Sequence, residues 1–186
     1  MIMSRKTIAA TLVTSAVIGS LFAAPSDAAA ALTTRHILGA ACRNANAAFQ
    51  GTTVMTGWGQ LANSGPNTSV ELYCPVMDDD YMPKSALTHL WVDVFDGDNE
   101  PEMTGGDKKV MNVGAQACVE AYTGGAARCG AMFMTTGTFT GMLDRELDVT
   151  AIHGGGYWDY GYVYVSLPRP AGNSLSSLVG IGWQNN

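Results

Sequence analysis

The amino-acid sequence predicts an all-β protein, an antiparallel β-sandwich or jelly-roll-like domain of about eight strands with two disulfides. Three observations predict this fold class. Short runs rich in β-branched and aromatic residues are separated by clusters of Gly, Pro, Asn and Asp. Beyond the N-terminal segment, no stretch shows helical periodicity of useful length. Four cysteines occur in a chain that begins with an export signal, a setting in which an even number indicates disulfides.

The N-terminal segment has the pattern of a signal peptide. Arg5 and Lys6 form a basic region, and residues 7–24 carry no charge. Ser26-Asp27-Ala28 supplies small residues at the spacing that signal peptidase needs, so we predict cleavage after Ala28, with Ala30 as second choice. An uncleaved anchor needs about 20 apolar residues, and this segment is diluted by Thr, Ser and Gly. We expect residues 1–28 to be removed, leaving a secreted or periplasmic protein without a membrane segment.

Composition limits the partners of the mature chain. Its 158 residues suffice for one domain, which we place at residues 51–186, after an Ala-rich N-terminal arm or short helix at residues 29–50. The net charge is −6 for the whole chain and becomes −7 when the signal, with its net charge of +1, is removed. This balance argues against nucleic acid and anionic lipid, which need clustered Lys and Arg. A cationic group, a glycan or another cell-surface component, or a divalent metal remains compatible.

The cysteines are Cys42, Cys74, Cys118 and Cys129, and they allow three pairings. We favour Cys42 with Cys74 and Cys118 with Cys129, because the second pair flanks a turn signal, Tyr-Thr-Gly-Gly, that would fold two short strands together. A zinc site is the alternative. Its cysteines usually come as C-x-x-C pairs, and the sequence contains none.

The strand pattern also predicts which faces are buried. The candidate strands are Thr52–Gly59, Thr68–Pro75, Ala86–Phe95, Lys109–Ala121, Arg128–Thr135, Leu147–Ile152, Tyr157–Leu167 and Ser174–Trp183. Because side chains alternate between the two faces of a strand, two sets of alternating apolar residues should point to the core. These sets are Leu90, Val92 and Val94 in one strand and Val163, Val165 and Leu167 in another.

The opposite face of the second of these strands is aromatic: Trp158, Tyr160, Tyr162 and Tyr164. Residues two apart on a strand are about 6.5 to 7 Å apart, so these rings form a ladder. Flat rings with polar tips at this spacing can stack on sugar rings and form hydrogen bonds with them. The alternative is ordinary packing, because aromatic residues favour strands and pair across them.

A second candidate site is acidic. Nine of the 15 carboxylate side chains of the mature chain fall between Asp78 and Asp107. The densest piece contains Asp96, Asp98 and Glu100, whose oxygens are ligands that calcium prefers. The spacing is not that of an EF-hand, and a solvated acidic surface is the alternative. We expect no other cofactor.

Motifs for catalysis are absent from the sequence. It has no G-x-S-x-G, no H-E-x-x-H and no P-loop, and its three histidines are far apart along the chain. We therefore predict a secreted non-catalytic β-sandwich that binds glycan or cell-surface material through the aromatic strand. A structural or matrix component of the cell surface without a discrete ligand is the alternative, and a small secreted hydrolase is third.

The cysteine framework resembles that of a group of uncharacterised secreted proteins from environmental bacteria. The resemblance depends on Cys42, Gly57-Trp58-Gly59, Cys74-Pro75, the Cys118 and Cys129 pair, and Gly180-Ile181-Gly182-Trp183. It would cover nearly all of the mature chain. It implies export, two disulfides and a β-sandwich-like fold, and it supplies no site residues.

Overall fold

Two antiparallel sheets make up the fold. The computed structural model describes residues 33–46, 51–66, 68–79, 82–97, 112–136, 139–156, 159–170 and 174–185. In chain order the strands are β1 (Thr33–Leu38), β2 (Arg43–Asn44), β3 (Thr53–Met55), β4 (Leu61–Asn63), β5 (Val70–Pro75), β6 (Leu87–Asp96), β7 (Gly114–Glu120), β8 (Arg128–Cys129), β9 (Phe133–Met134), β10 (Gly141–Glu146), β11 (Tyr160–Leu167) and β12 (Ser177–Asn185).

Among the described residues, each sheet has six strands. Sheet I has the order β10-β6-β12-β4-β3, with β1 also paired to β12. Sheet II has the order β2-β5-β11-β7-β8, with β9 also paired to β7. β11 thus lies at the centre of sheet II, between β5 and β7, and β6 and β12 form the longest pair of sheet I.

The core lies between the two sheets. Leu90, Val92 and Val94 of β6 and the set Val163, Val165 and Leu167 of β11 are all fully buried and belong to one apolar cluster. The predicted sandwich and the predicted inner faces of both strands are therefore confirmed. The described residues contain twelve strands, where the sequence predicted about eight.

Two disulfides and the ion pair between Arg35 and Asp79 cross-link the fold. The predicted disulfides Cys42–Cys74 and Cys118–Cys129 are both present, with sequence separations of 32 and 11. On the loop-entropy model they contribute roughly 4 and 3 kcal/mol of stability respectively. The guanidinium of Arg35 donates two hydrogen bonds to Asp79, at 2.6 and 3.0 Å, and so ties β1 to the segment that follows β5.

Of the predicted arm or short helix at residues 29–50, the structure describes residues 33–46, and two strands within them pair with the sheets. Ala31–Asn186 form one compact unit, and Thr33–Leu38 pair with β12 along their whole length. A short 3-10 turn at Gly39–Ala41 then leads to β2. The Ala-rich composition left a short helix and an extended arm both open, and for residues 33–38 cross-strand pairing with β12 decides the conformation, because tertiary contacts override weak local propensity.

The prediction of a strand at Leu147–Ile152 was wrong. Thr150–His153 form one helical turn, α1, and Leu147 follows a strand, β10, that the sequence did not predict. The carboxylate of Asp148 accepts a hydrogen bond from the Thr150 amide at 3.0 Å, and this local bond favours a turn over a ladder. The predicted strand Arg128–Thr135 is divided into β8 and β9, which both pair with β7.

The predicted signal peptide lies outside the described residues. Among the described residues, no helix has the length and apolar character required to cross a membrane.

A substitution at Gly39 tests the packing at the start of the domain. A methyl group added at this residue would overlap the backbone carbonyl of Leu178 and lie 3.1 Å from the backbone nitrogen of Leu61. Gly39→Ala should therefore lower the free energy of unfolding by about 1 to 3 kcal/mol, because the backbone of two strands must move. Chemical denaturation measures this. Gly57→Ala is the control, since nothing lies within 4 Å of its added methyl, and equal stability of the two variants would contradict the packing described.

Candidate functional site

The outer face of sheet II carries the aromatic strand. In the register of β11, Tyr164 lies opposite Tyr73 of β5, and Tyr160 lies opposite Glu120 of β7. Residues directly opposite each other in an antiparallel pair share a face. Since Val163, Val165 and Leu167 point into the core, the tyrosines of β11 must point outward, together with Tyr73 and Glu120.

Four tyrosines form two ring pairs on this face. The rings of Tyr73 and Tyr162 have centroids 5.0 Å apart at an interplanar angle of 49°, and those of Tyr122 and Tyr160 are 6.3 Å apart at 47°. Tyr122 and Tyr160 are 64% and 60% exposed and Tyr73 is 43% exposed, whereas Tyr162 is half-buried. The exposed ring surface is therefore large and lies on a rigid sheet.

Tyr164 differs from the other tyrosines of the strand. It is buried, its ring packs against Tyr73 at 6.0 Å, and its hydroxyl donates a hydrogen bond to the carboxylate of Glu71. Tyr164 therefore supports the ring of Tyr73 and does not line the binding surface. Trp158, the fourth residue of the predicted ladder, lies outside the described residues.

A groove of about 1420 Å³ runs over these tyrosines. Besides the aromatic rings it contains four carboxylates and one guanidinium. The lining residues are Ala41, Arg43, Asn44, Tyr73, Pro75, Val76, Asp78, Asp79, Pro83, Glu120, Tyr122, Asp159, Tyr160, Gly161 and Tyr162. An aromatic floor with a few polar groups at its sides is typical of small-molecule and glycan sites.

A buried lysine holds two walls of the groove together. The Lys84 side chain is only 6% exposed, and its ammonium lies 3.0 Å from the carboxylate of Asp78 and donates a 2.7 Å hydrogen bond to the backbone carbonyl of Asp159. One wall segment follows β5 and the other precedes β11. Because a buried ammonium must remain paired, these contacts hold the two walls in place.

Asp159 also orders the loop that carries Tyr122. Its carboxylate accepts hydrogen bonds from the amides of Gly156, at 2.7 Å, and Tyr122, at 3.2 Å. The hydrogen bond from the Gly156 amide is the largest effect and lowers the pKa of Asp159. Burial, the second effect, raises it, and the Tyr122 amide and the charges of Lys84 and Arg128 lower it further, so that the pKa lies below the ordinary value. Asp159 is therefore ionised at neutral pH and accepts both bonds.

The phenol of Tyr162 stays protonated over a wide pH range. Burial raises its pKa above the ordinary value, and the neighbouring Tyr73 and Glu120 add to the shift. Its hydroxyl can therefore both donate and accept a hydrogen bond at neutral pH. Glu120 is exposed beside it and supplies a carboxylate acceptor.

The predicted calcium ligands are only partly described. Asp96 is 1% exposed, and its carboxylate accepts a 3.2 Å hydrogen bond from the Ser176 hydroxyl. Asp98 and Glu100 lie outside the described residues. The described part of the chain contains no group of three or more His, Cys, Asp or Glu side chains arranged to hold a metal. Calcium binding stays a prediction, and Asp96 contributes to the packing between β6 and the start of β12.

The histidines lie at separate places among the described residues. His36 on β1 contacts the Trp91 ring at 5.4 Å, and the His89 ring lies 2.6 Å from Glu146. His153 in α1 makes a hydrogen bond with the backbone carbonyl of Leu87. None of the three lines the groove.

The outer face of sheet I carries a pair of opposed carboxylates. Asp93 of β6 lies directly opposite Asp144 of β10. Burial raises the pKa of Asp93, and the charge of Asp144 raises it further, whereas His36 lowers it. Like charges at directly opposed positions destabilise a sheet, so this pair costs stability when both groups are ionised.

Two groove residues, Tyr73 and Tyr122, were not predicted from the sequence. Tyr73 lies in a predicted strand, where its alternation with the apolar Leu72 and Cys74 could have placed it on the outer face. Its partner ring, however, belongs to β11, about ninety residues later in the chain, and only the register reveals that contact. Tyr122 lies beyond β7 in a turn signal, and its sequence carries no sign of the groove.

Comparison with known proteins finds similarity to solved structures at low sequence identity. No protein-family model and no curated protein matches the chain. A solved low-affinity xylan-binding module, CBM86 from Roseburia intestinalis, is 11% identical, with 83% of this chain and 96% of that chain covered and a TM-score of 0.43. A family 11 carbohydrate-binding module of a cellulosomal cellulase of Clostridium thermocellum is 8% identical, with coverages of 83% and 88% and a TM-score of 0.38. Similarity at this level is distant, and the fold assignment depends on the strand pairing described above.

Asp159 should titrate below the range of an ordinary aspartate. Its lowered pKa means that its stabilising contribution is fully present above the ordinary value of about 3.9 and is lost as the pH falls through the lower folded-state value. We expect the backbone amide signals of Tyr122 and Gly156 to shift together in that acidic range in an NMR titration. In Asp159→Ala, both titrations should vanish and the melting temperature at neutral pH should fall. Unchanged amide titrations in that variant would contradict the assignment.

Asp93→Asn should stabilise the protein at neutral pH. Because the folded-state pKa of Asp93 is raised, its stabilising contribution is greatest below the ordinary pKa and is lost as the pH rises through the raised value. The variant mimics the protonated form, so we expect a gain in the free energy of unfolding of up to about 1 kcal/mol at pH 7 that disappears near pH 3.

Asp144→Asn removes only the repulsion between the two carboxylates and should give a smaller gain in stability. Glu146→Gln, in the exposed pair with His89, serves as a control with a change near zero, and a destabilised Asp93→Asn would refute this reading.

Proposed function

We propose that this protein is a secreted, non-catalytic β-sandwich that binds glycan in the groove on the outer face of sheet II. The observation that carries the proposal is the pair of ring contacts among Tyr73, Tyr162, Tyr122 and Tyr160 along one groove. Tyrosine offers a large flat apolar face at low entropic cost and a polar tip, which suits the alternating C–H and hydroxyl surfaces of a sugar ring.

The polar groups of the groove complement the rings. Glu120 and the Tyr162 hydroxyl lie beside the aromatic floor, and Asn44 and Arg43 line the side formed by β2. Sugar hydroxyls both donate and accept hydrogen bonds, so this mixture of acceptors and donors can satisfy them. The two disulfides favour an oxidising compartment, which agrees with the export that the N-terminal segment predicts.

Most groove carboxylates already have structural partners. Asp78 is paired with Lys84, Asp79 with Arg35, and Asp159 with two backbone amides. Hydrolysis of a glycosidic bond requires two carboxylates that face the bond, one as acid and the other as nucleophile or base. Only Glu120 lies in the groove without such a partner among the described residues, which favours binding over hydrolysis.

A glycan array on the mature protein tests the proposal. The variant Tyr160→Ala/Tyr162→Ala removes one ring from each pair, and at roughly 0.5 to 1.5 kcal/mol per aromatic contact it should weaken binding by a factor of about five to a hundred. Trp58→Ala is the matched control, because Trp58 is 84% exposed and does not line the groove. Thermal melts of each variant check the fold. Binding that survives the double change, or the absence of saturable binding by the intact protein, would refute the proposal, and the second result would favour a matrix component.

A further inference from the structure

The four groove tyrosines follow an oblique path across sheet II. Tyr73 lies on β5. Tyr162 lies on the neighbouring strand β11, two residues from the position directly opposite Tyr73. Tyr160 lies two residues further along β11, opposite Glu120 of β7. Tyr122 follows Glu120 at the end of the path. At about 4.8 Å between strands and 3.3 Å per residue along them, the path from Tyr73 to the position of Glu120 is roughly 16 Å long. That distance exceeds the size of one sugar ring, so the aromatic surface extends over several consecutive units.

Neighbouring rings along this path are not coplanar. The interplanar angles are 49° between Tyr73 and Tyr162 and 47° between Tyr122 and Tyr160. A planar face, such as the surface of a crystalline polysaccharide, can contact several rings at once only if the rings lie in one plane. A single chain can rotate about its glycosidic bonds and meet tilted rings one after another.

The walls of the groove are a second reason why the flat surface of a crystalline polysaccharide cannot contact the tyrosines. They are formed by Asp78 and Pro83 in the segment after β5 and by Asp159 before β11. The buried Lys84 side chain connects them through its contacts with Asp78 and the Asp159 carbonyl. Since these contacts are internal to the fold, the walls cannot flatten to admit an extended surface without breaking them.

The charge of the groove limits which kind of polysaccharide chain it can bind. Among the described residues that line the groove, four carry carboxylates and Arg43 is the only cation. Lys84 and Arg35 compensate the charges of Asp78 and Asp79. Glu120 has no such partner among the described residues, so a chain with a carboxylate on every sugar would place like charges against Glu120, and such charges repel more strongly in a partly desolvated groove.

The geometry points to a single uncharged polysaccharide chain of several sugar units as the ligand, bound along the path from Tyr73 to Tyr122, and not to a crystalline polysaccharide surface. This inference rests on the proposed function and specifies the ligand of the same groove.

Calorimetric titration with oligosaccharides of graded length tests the inference. The probes are uncharged oligomers of glucose, xylose and mannose from two to six units, and galacturonic acid oligomers of the same lengths. For the series that binds, affinity should rise from two units upward, by roughly two- to tenfold for each further ring contact, and then level off once the path is filled. Affinity that is already maximal at two units, or galacturonic acid oligomers that bind as tightly as the uncharged series, would overturn the inference.

Sedimentation with insoluble material tests the choice between a chain and a surface. Microcrystalline cellulose and crystalline chitin are compared with amorphous preparations of the same polymers. We expect capture by the amorphous form of whichever polymer is bound, and little by its crystalline form. Equal or stronger capture by the crystalline form overturns the inference. If no oligosaccharide and no insoluble polymer binds, the proposed function itself fails, so the two failures are distinguishable.

Variants at the two ends of the path provide a further test. For a hexasaccharide, Tyr73→Ala and Tyr122→Ala should each weaken binding roughly two- to tenfold, because the chain contacts both ends. For a disaccharide, at most one of the two should matter. Trp58→Ala should change neither, and thermal melts should show all three variants folded. Equal effects of both end variants on the disaccharide would overturn the oblique path.

Discussion

The alternation of side chains along β11 is the constraint on which the rest of the structure depends. β11 lies at the centre of sheet II, and it can bury Val163, Val165 and Leu167 against sheet I only by turning the residues between them to the other side. A shift of register by one residue would expose three large aliphatic side chains and bury the tyrosines. The burial of these aliphatic side chains therefore also keeps the tyrosines on the outer face, and no further backbone ordering is needed.

A surface of exposed rings needs support from groups that are not themselves available to a ligand. Tyr164 supplies part of it, since its ring lies beside Tyr73 on the neighbouring strand and its hydroxyl is bonded to Glu71. Asp159 supplies another part by accepting the amides of Gly156 and Tyr122, which fixes the loop at the far end of the groove. A rigid surface loses less conformational entropy on binding, so supports of this kind raise affinity without touching the ligand.

The two outer faces of the sandwich are built differently. On sheet I, the indole of Trp91 lies over Gly182, where a side chain would collide with the ring. Asp93, two residues after Trp91 on β6, lies opposite Asp144. On sheet II, Asp78 and Asp79 at the walls have cationic partners, Glu120 has none among the described residues, and the floor is aromatic. Among the described residues, the groove and the four tyrosine rings lie together on the second face, which is why the glycan proposal is placed there.

The sequence by itself determined the features that depend on short-range patterns. The disulfide pairing and the inward faces of β6 and β11 follow from turn residues and from the two-residue period of a strand, so they could be predicted. Tertiary structure alone decided that Tyr73 and Tyr122 join the strand tyrosines, that Tyr164 is covered, that Asp96 is buried and that residues 33–38 form a strand. These features depend on pairings between residues far apart in sequence. The energy of such pairings comes from register and packing across strands, which no local run of residues encodes.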